Sequence, residues 1–276
     1  MQALLQLKKL GLTDHKICLN PNDEGLSQQI LKNGLREPMN SYYLAKFIKT
    51  EKPHVLDVGG NIGYFPLIEL LSGAESVTVY EPVSETFGYL LKNVKDFKNV
   101  ICRNSGLSDH AGEQTIYIPE QRNLASVAPD ADYLEFSDVK IVSNETVTMA
   151  TLPDVCENIE SSNILVRMDV EGYEATILQN IPENVKHISF EFHTQILGQK
   201  ASIDFIEHLE SQGFKVFLML REMEGLIGLF KRFGFSVFSA YSRLKEKRIY
   251  TNPTKQQICH VISLCRENPH IFASRM

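Results

Sequence analysis

The five cysteines, Cys18, Cys102, Cys156, Cys259 and Cys265, make no CxxC pair and no metal-ligand spacing. That excludes zinc ribbons and dithiol redox sites, and reduced thiols in a cytoplasmic protein are the expectation. No apolar run approaches the ~20 residues that a membrane span needs. The N-terminal MQALLQLKKL lacks the apolar core and cleavage site of a signal peptide and reads as a short amphipathic helix. Basic residues are not in excess: 28 Lys and Arg against 34 Asp and Glu leave a net charge of -6. Nothing in that total draws the chain to nucleic acid. Internal repeats and low-complexity segments are absent as well, which excludes solenoids and disordered arrays. Without a repeat or a metal framework to staple it, a chain of 276 residues is long enough for one α/β domain with a large core. Residues 1–50 read as a helical and irregular lead-in, and 51–276 as the main domain.

Against that background one stretch stands out. His54 to Phe65, HVLDVGGNIGYF, is a short apolar run that breaks into glycines before a helix starting at about Tyr64. Small residues there let a ligand approach the backbone and the first N–H groups of the helix. A dinucleotide fingerprint would need glycines at 59, 61 and 64, but Asn61 and Tyr64 occupy two of those places. An acid two positions before the glycine turn stands instead: Asp57, Gly59, Asn61, Gly63. An anion at Asp57 suits the amino group and sulfonium of S-adenosylmethionine better than a pyrophosphate. Some 20 residues on, Ser76–Tyr80 reads as the next parallel strand, with Glu81 at its end to accept the ribose hydroxyls and Pro82 to stop it.

The remaining strands follow in alternation with helices. In the lead-in, Ser41–Lys49 has helical periodicity, and this segment either covers the ligand cleft, with Glu37 and Tyr42 as contacts, or only packs on the sheet edge. Asn99–Asn104 is a third strand, whose end Asn104-Ser105-Gly106 borders the adenine half of a doubly wound site. Gln114–Ile118 alternates like one arm of a hairpin with 139–148 as the other, and the polar loop from Glu120 to Asp138 is too long to be idle. Ile164–Met168 is a buried strand that runs out into Asp169, Glu171 and Glu174. Three carboxylates at one strand-to-helix junction repel each other. They bind a cation or a hydroxyl, or they cap the helix. Val185–Phe190 is the fifth strand, and alternation puts Glu191 and His193 on one side of its end. Ala201–Gln212 is an amphipathic helix and Lys215–Leu220 the sixth strand. Residues 221–248 interleave aromatic and basic side chains. They form either a surface for an acidic, lipid-linked or polymeric acceptor or a helix with solvated lysines. Ile249–Thr251 is expected to be the last strand and 253–267 a closing helix.

The segments DVGGNIGYF (57–65), YEPVSETFGYLLKN (80–93), NSGLSDHAG (104–112), RNLASV (122–127), VRMDVEGYE (166–174) and SFEFH (189–193) together resemble the FkbM-type methyltransferases, in that family's order. The resemblance implies a doubly wound, Rossmann-like α/β sheet of the class I methyltransferase kind. Such a sheet is mostly parallel with an antiparallel last strand and has helices on both faces. It also implies S-adenosylmethionine as donor and O-methylation of a sugar, glycan or natural-product hydroxyl. The donor would lie along Asp57, Gly59, Gly60, Asn61, Gly63, Tyr64, Phe65, Glu81, Pro82, Asn104, Ser105, Gly106, Asn123 and Ser126. Asp169, Glu171, Glu191 and His193 would face the acceptor, with Asp169 or His193 as base and Mg²⁺ bridging the carboxylates as a further option. The family's Thr-Leu-Asp before its fourth strand appears as Thr151-Leu152-Pro153-Asp154, with Pro153 inserted. An RNA methyltransferase and a non-catalytic S-adenosylmethionine-binding module are the alternatives. A nicotinamide dehydrogenase fails on the glycine spacing.

Overall fold

A computed structural model of the chain describes residues 1–23, 25–119, 141–221, 248–264 and 268–275. Strands β1 (Gln2–Leu5) and β2 (His15–Cys18) pair antiparallel, with Gln2 opposite Cys18. The amphipathic helix expected for MQALLQLKKL is therefore corrected to a strand and a single 3-10 turn, Leu7–Leu10, closed by Gly11 at φ 69°. A ten-residue helix is too short to hold itself, whereas pairing with β2 satisfies the backbone and sends Leu5, Leu7 and Leu10 into the core.

Helices α1 (Leu26–Asn33) and α2 (Pro38–Glu51) lead to β3 (His54–Val58), α3 (Tyr64–Leu71), β4 (Ser76–Tyr80), α4 (Ser84–Val94) and β5 (Val100–Arg103). A small sheet follows: β6 (Gly106–Ser108), β7 (Gly112–Pro119) and β8 (Ile141–Thr151), in the order β6-β8-β7. The hairpin expected from the alternation at Gln114–Ile118 is the antiparallel β7–β8 pair. Then come α5 (Leu152–Glu157), β9 (Ile164–Met168), α6 (Glu174–Ile177), β10 (Val185–Glu191), α7 (Thr194–Leu197), α8 (Gln199–Ser211), β11 (Phe214–Leu220), β12 (Ile249–Thr251), α9 (Lys255–Ser263) and β13 (His270–Arg275). Pro153 does not break α5. It sits in the first turn, where no N–H is missed, while the Thr151 hydroxyl accepts from Asp154 N at 3.3 Å.

The main sheet has the order β12-β11-β13-β10-β9-β3-β4-β5. Strands β10, β9, β3, β4 and β5 run parallel, and β13 lies antiparallel between β10 and β11. This is the doubly wound, mostly parallel sheet with an antiparallel last strand. The last strand is not Ile249–Thr251, however, which is only an edge partner of β11. It is His270–Arg275, whose three-residue apolar core, Ile271–Ala273, is buried and too short to show a period. Alternation along the parallel strands feeds two cores. Val55 and Leu165 join α2, α3 and the N-terminal leucines on one face, while Leu56, Val58, Val166 and Met168 join Leu152, Phe205 and Ile258 on the other. No helix among the described residues is long and apolar enough to cross a membrane.

Candidate active site

Each central strand carries one charge inside an apolar run, HVLDV in β3 and ILVRM in β9. The parallel register sets those two charges opposite each other, Asp57 beside Arg167. Both are buried, and Arg167 Nη1 donates to Asp57 Oδ1 at 3.1 Å while Nη2 donates to Asp169 Oδ2 at 3.2 Å. The guanidinium lies 4.0 Å above the Phe65 ring, a cation–π contact from the first turn of α3. Asp57, expected to touch the donor, is wholly buried and accepts from Arg167, which itself lines the cavity.

One helical turn after Phe65, Glu69 faces the same sheet surface. It is fully buried, and neither of its oxygens has a hydrogen-bond partner. Burial, reinforced by the charge of Asp57, raises its pKa well above the ordinary carboxylate value. The native state thus keeps a proton that the unfolded chain releases, so this group's contribution to stability is complete below about pH 4.5 and is lost as pH rises. Glu69→Met is expected to raise unfolding stability at pH 8 by about 1–3 kcal/mol. The gain should shrink toward pH 4.5, and urea titrations at both pH values check it.

The glycine turn is built for close approach. Gly59 has φ 84°, and a Cβ there would stand 2.2 Å from the Asp169 carbonyl oxygen, so the turn and the end of β9 touch through backbone alone. At Gly60 a Cβ would stand 2.1 Å from the Val79 side chain. Asn61 N donates to Glu81 Oε2 and Val83 N to Oε1, both at 2.9 Å. Burial, opposed by these two N–H groups, pushes the Glu81 pKa up to about 7. Asn104 Nδ2 donates to the carbonyls of Glu81 and Pro82 at 2.9 Å each, which brings the strand end Asn104-Ser105-Gly106 to the Glu81 loop. Gly63 caps α3 at φ 92°. Tyr64 is spent on the lead-in: its hydroxyl donates to the Arg36 carbonyl at 2.8 Å and lies 3.0 Å from Ser41 Oγ. Its ring still lines a narrow cavity together with Phe65, Gly59, Gly60, Asn61, Arg36, Leu26, Arg167, Asp169 and Glu171. Asn123 and Ser126 lie outside the described residues.

At the ends of β9 and β10 the four expected acceptor-side residues come together. Asp169, Glu191 and His193 each place a ligand-type atom within 4.8 Å of the others. His193 Nε2 is 3.2 Å from Glu171 Oε2, and Nδ1 is 2.8 Å from Glu174 Oε1. Burial disfavours a charged ring, but the two carboxylates outweigh it and raise the His193 pKa well above its ordinary value. Burial and then the charge of Asp169 raise that of Glu191. Glu171 holds φ 51°, a left-handed backbone that turns the junction.

Three residues of the site were not foreseen: Arg167, Arg36 and His270. His270 is paired across from Glu191 and lies 3.4 Å from Glu37 Oε2. Burial raises the pKa of Glu37, but Arg36 at 2.7 Å, His270 and Asn40 outweigh it and bring it down to about 2. Tyr42 is exposed and meets Tyr43 edge-on instead of lining the cavity. A signal for Arg167 was present in the sequence, namely opposite charges at matching places in two buried strands. None marked His270, because the sequence does not show which strand neighbours β10.

The methyltransferase FkbM domain matches residues 57–216, more than half of the chain, and includes the ends of β3, β4, β5, β9 and β10. The chain belongs to the FkbM methyltransferase family. No curated protein matches it. Among solved structures it is similar to an O-methyltransferase from Bacillus cereus in complex with SAH, at 9% identity and TM-score 0.46, covering 88% of this chain and 83% of that one. It is also similar to the ribosomal protein L11 methylase from Lactobacillus delbrueckii subsp. bulgaricus, at 10% identity and TM-score 0.43, covering 93% and 83%. A third similar structure, Aeropyrum pernix fibrillarin with natively bound S-adenosyl-L-methionine, has 11% identity, TM-score 0.41, and coverage of 86% and 74%.

Proposed function

We propose that this methyltransferase takes a methyl group from S-adenosylmethionine and places it on a hydroxyl of a sugar, glycan or small natural product. The observation that carries this reading is the contact of the Gly59 turn with Glu81 on one side and with Asp169 on the other. A nucleoside cleft and a cluster of carboxylates thereby share one sheet edge. Three features support the donor at that edge: the glycine turn lines the cavity, Glu81 stands at the end of the adjacent strand, and Arg36, which also pairs with Glu37, brings a cation to the same cavity for the methionine carboxylate. Bound there, the donor supplies an electrophilic methyl group on a positively charged sulfur.

The chain's own residues do the rest. Asp169, held through Oδ2 by Arg167, keeps a fixed carboxylate beside the turn to take the acceptor's proton. An alcohol needs that help, whereas an amine with a free lone pair does not, and this favours a hydroxyl acceptor. His193 is not the base in this reading, because both ring nitrogens already face carboxylates. It holds Glu171 and Glu174 in place. Of the stretch 221–248, read as an acceptor-side insertion, residues 222–247 lie outside the described residues. Their flanks meet where Arg221 N donates to the Arg248 carbonyl at 2.9 Å, and β11 ends at the Leu220–His270 pair, on the edge that carries Glu191. That placement supports an acceptor role for the insertion.

Calorimetry with S-adenosylhomocysteine tests the donor site through Glu81. Ribose hydroxyls donate to a carboxylate, so binding favours its ionised form and releases the proton held below pH 7. Affinity is expected to rise about tenfold per pH unit up to about 7 and then level off. Glu81→Gln should bind more weakly and with a flat pH profile. Wild-type affinity in that variant at pH 8 would refute the ribose assignment.

A further inference from the structure

We infer that Asp169, Glu191 and Nε2 of His193 form a binding site for one divalent metal ion of the Mn²⁺ class, beside the acceptor. The inference deepens the hydroxyl-methylation reading and rests on it only for what the ion would do. In a six-coordinate site, ligand atoms about 2.1 Å from the ion stand about 3 Å apart when adjacent and about 4.2 Å apart when opposite. The three atoms here all lie within 4.8 Å of one another, and rotation of their side chains would bring them to that spacing.

A second observation points to a cation independently. Glu174 is fully buried, its Oε2 has no hydrogen-bond partner, and its Oε1 lies 2.8 Å from Nδ1 of His193. A buried carboxylate on one ring nitrogen fixes the imidazole and presents the other nitrogen, which is how metal-bound histidines are held. The histidine that clusters with Asp169 and Glu191 is thus held through Nδ1, which leaves Nε2 as the nitrogen to face an ion. The Glu191 carboxylate meets no hydrogen-bond donor among the described residues. An ion would take the place of the proton between Nε2 and Glu171, 3.2 Å apart.

Glu191 also lies near Glu37 and His270 in a second set within 4.8 Å. There both Glu37 oxygens already accept, from Arg36 at 2.7 Å and from Asn40 at 2.9 Å, so the ion belongs on the His193 side. The donor chemistry selects the metal. Mg²⁺, expected from carboxylates alone, prefers oxygen and water, while an imidazole among two carboxylates favours Mn²⁺ and its neighbours. The ion would hold the acceptor oxygen and lower its pKa, and the proton would still leave to a carboxylate of the cluster.

Mn²⁺ titration of the full chain, with free ion followed by electron paramagnetic resonance, tests this. S-adenosylhomocysteine binding is measured on the same samples as a check of folding. One equivalent of Mn²⁺ is expected to bind. Glu191→Gln and His193→Gln should weaken it at least tenfold, Glu174→Gln by about 10–100-fold through the histidine, and His270→Gln not at all. Absence of Mn²⁺ binding in the wild type, or equal binding in Glu191→Gln, overturns the inference. A chain that binds the nucleoside but no Mn²⁺ refutes the metal site alone, and one that binds Mn²⁺ but no nucleoside refutes the donor reading alone.

Discussion

Arg167→Met is expected to cost the folded state about 3–5 kcal/mol, the penalty for leaving a buried charge without its partner. The guanidinium is the only cation on Asp57 among the described residues, it anchors Asp169, and its flat face covers Phe65. Removing it strands a carboxylate that has no exposure to water. The urea midpoint should fall accordingly. Adding Asp57→Leu to the same chain should recover much of the loss, because both charges then leave the core together. A single variant as stable as the wild type, or a double variant with no recovery, would show that the pair does not hold β3 to β9.

Asp169→Asn is expected to lower methyl transfer by about 10²–10⁴-fold, the usual contribution of one proton acceptor. Binding of the spent donor should stay nearly constant. The asparagine oxygen can still accept from Arg167 Nη2, and the backbone contact with Gly59 does not involve the side chain. Turnover would therefore fall without loss of the cleft. Wild-type turnover in this variant assigns proton removal to another group.

Most strands of the parallel sheet could be read from the sequence because they are apolar runs ending at glycine or a carboxylate, and such runs need no partner to be recognised. Val55–Val58, Val77–Tyr80 and Ile164–Met168 are of that kind. The N-terminal ten residues were misread because leucines spaced for a helix served a strand and a turn once β2 was available to pair with. Strand β13 was missed because its apolar core, Ile271–Ala273, is only three residues long. The site divides in the same way. Gly59, Glu81, Asp169, Glu191 and His193 stand at strand ends, where position alone implies a ligand. Asp57 could be placed in a strand, but the sequence does not give register, and register is what sets it beside Arg167. Glu69 gave no signal in the sequence, where it is one polar residue in an apolar helix, and only packing shows that it faces two buried charges.

A crystal structure of the chain with S-adenosylhomocysteine is the most direct test of the shared edge. The expected result puts the ribose on Glu81, the adenine against Asn104–Gly106 and the sulfur over the Gly59 turn, facing Asp169. A nucleoside bound elsewhere, or none at saturating concentration, would contradict it.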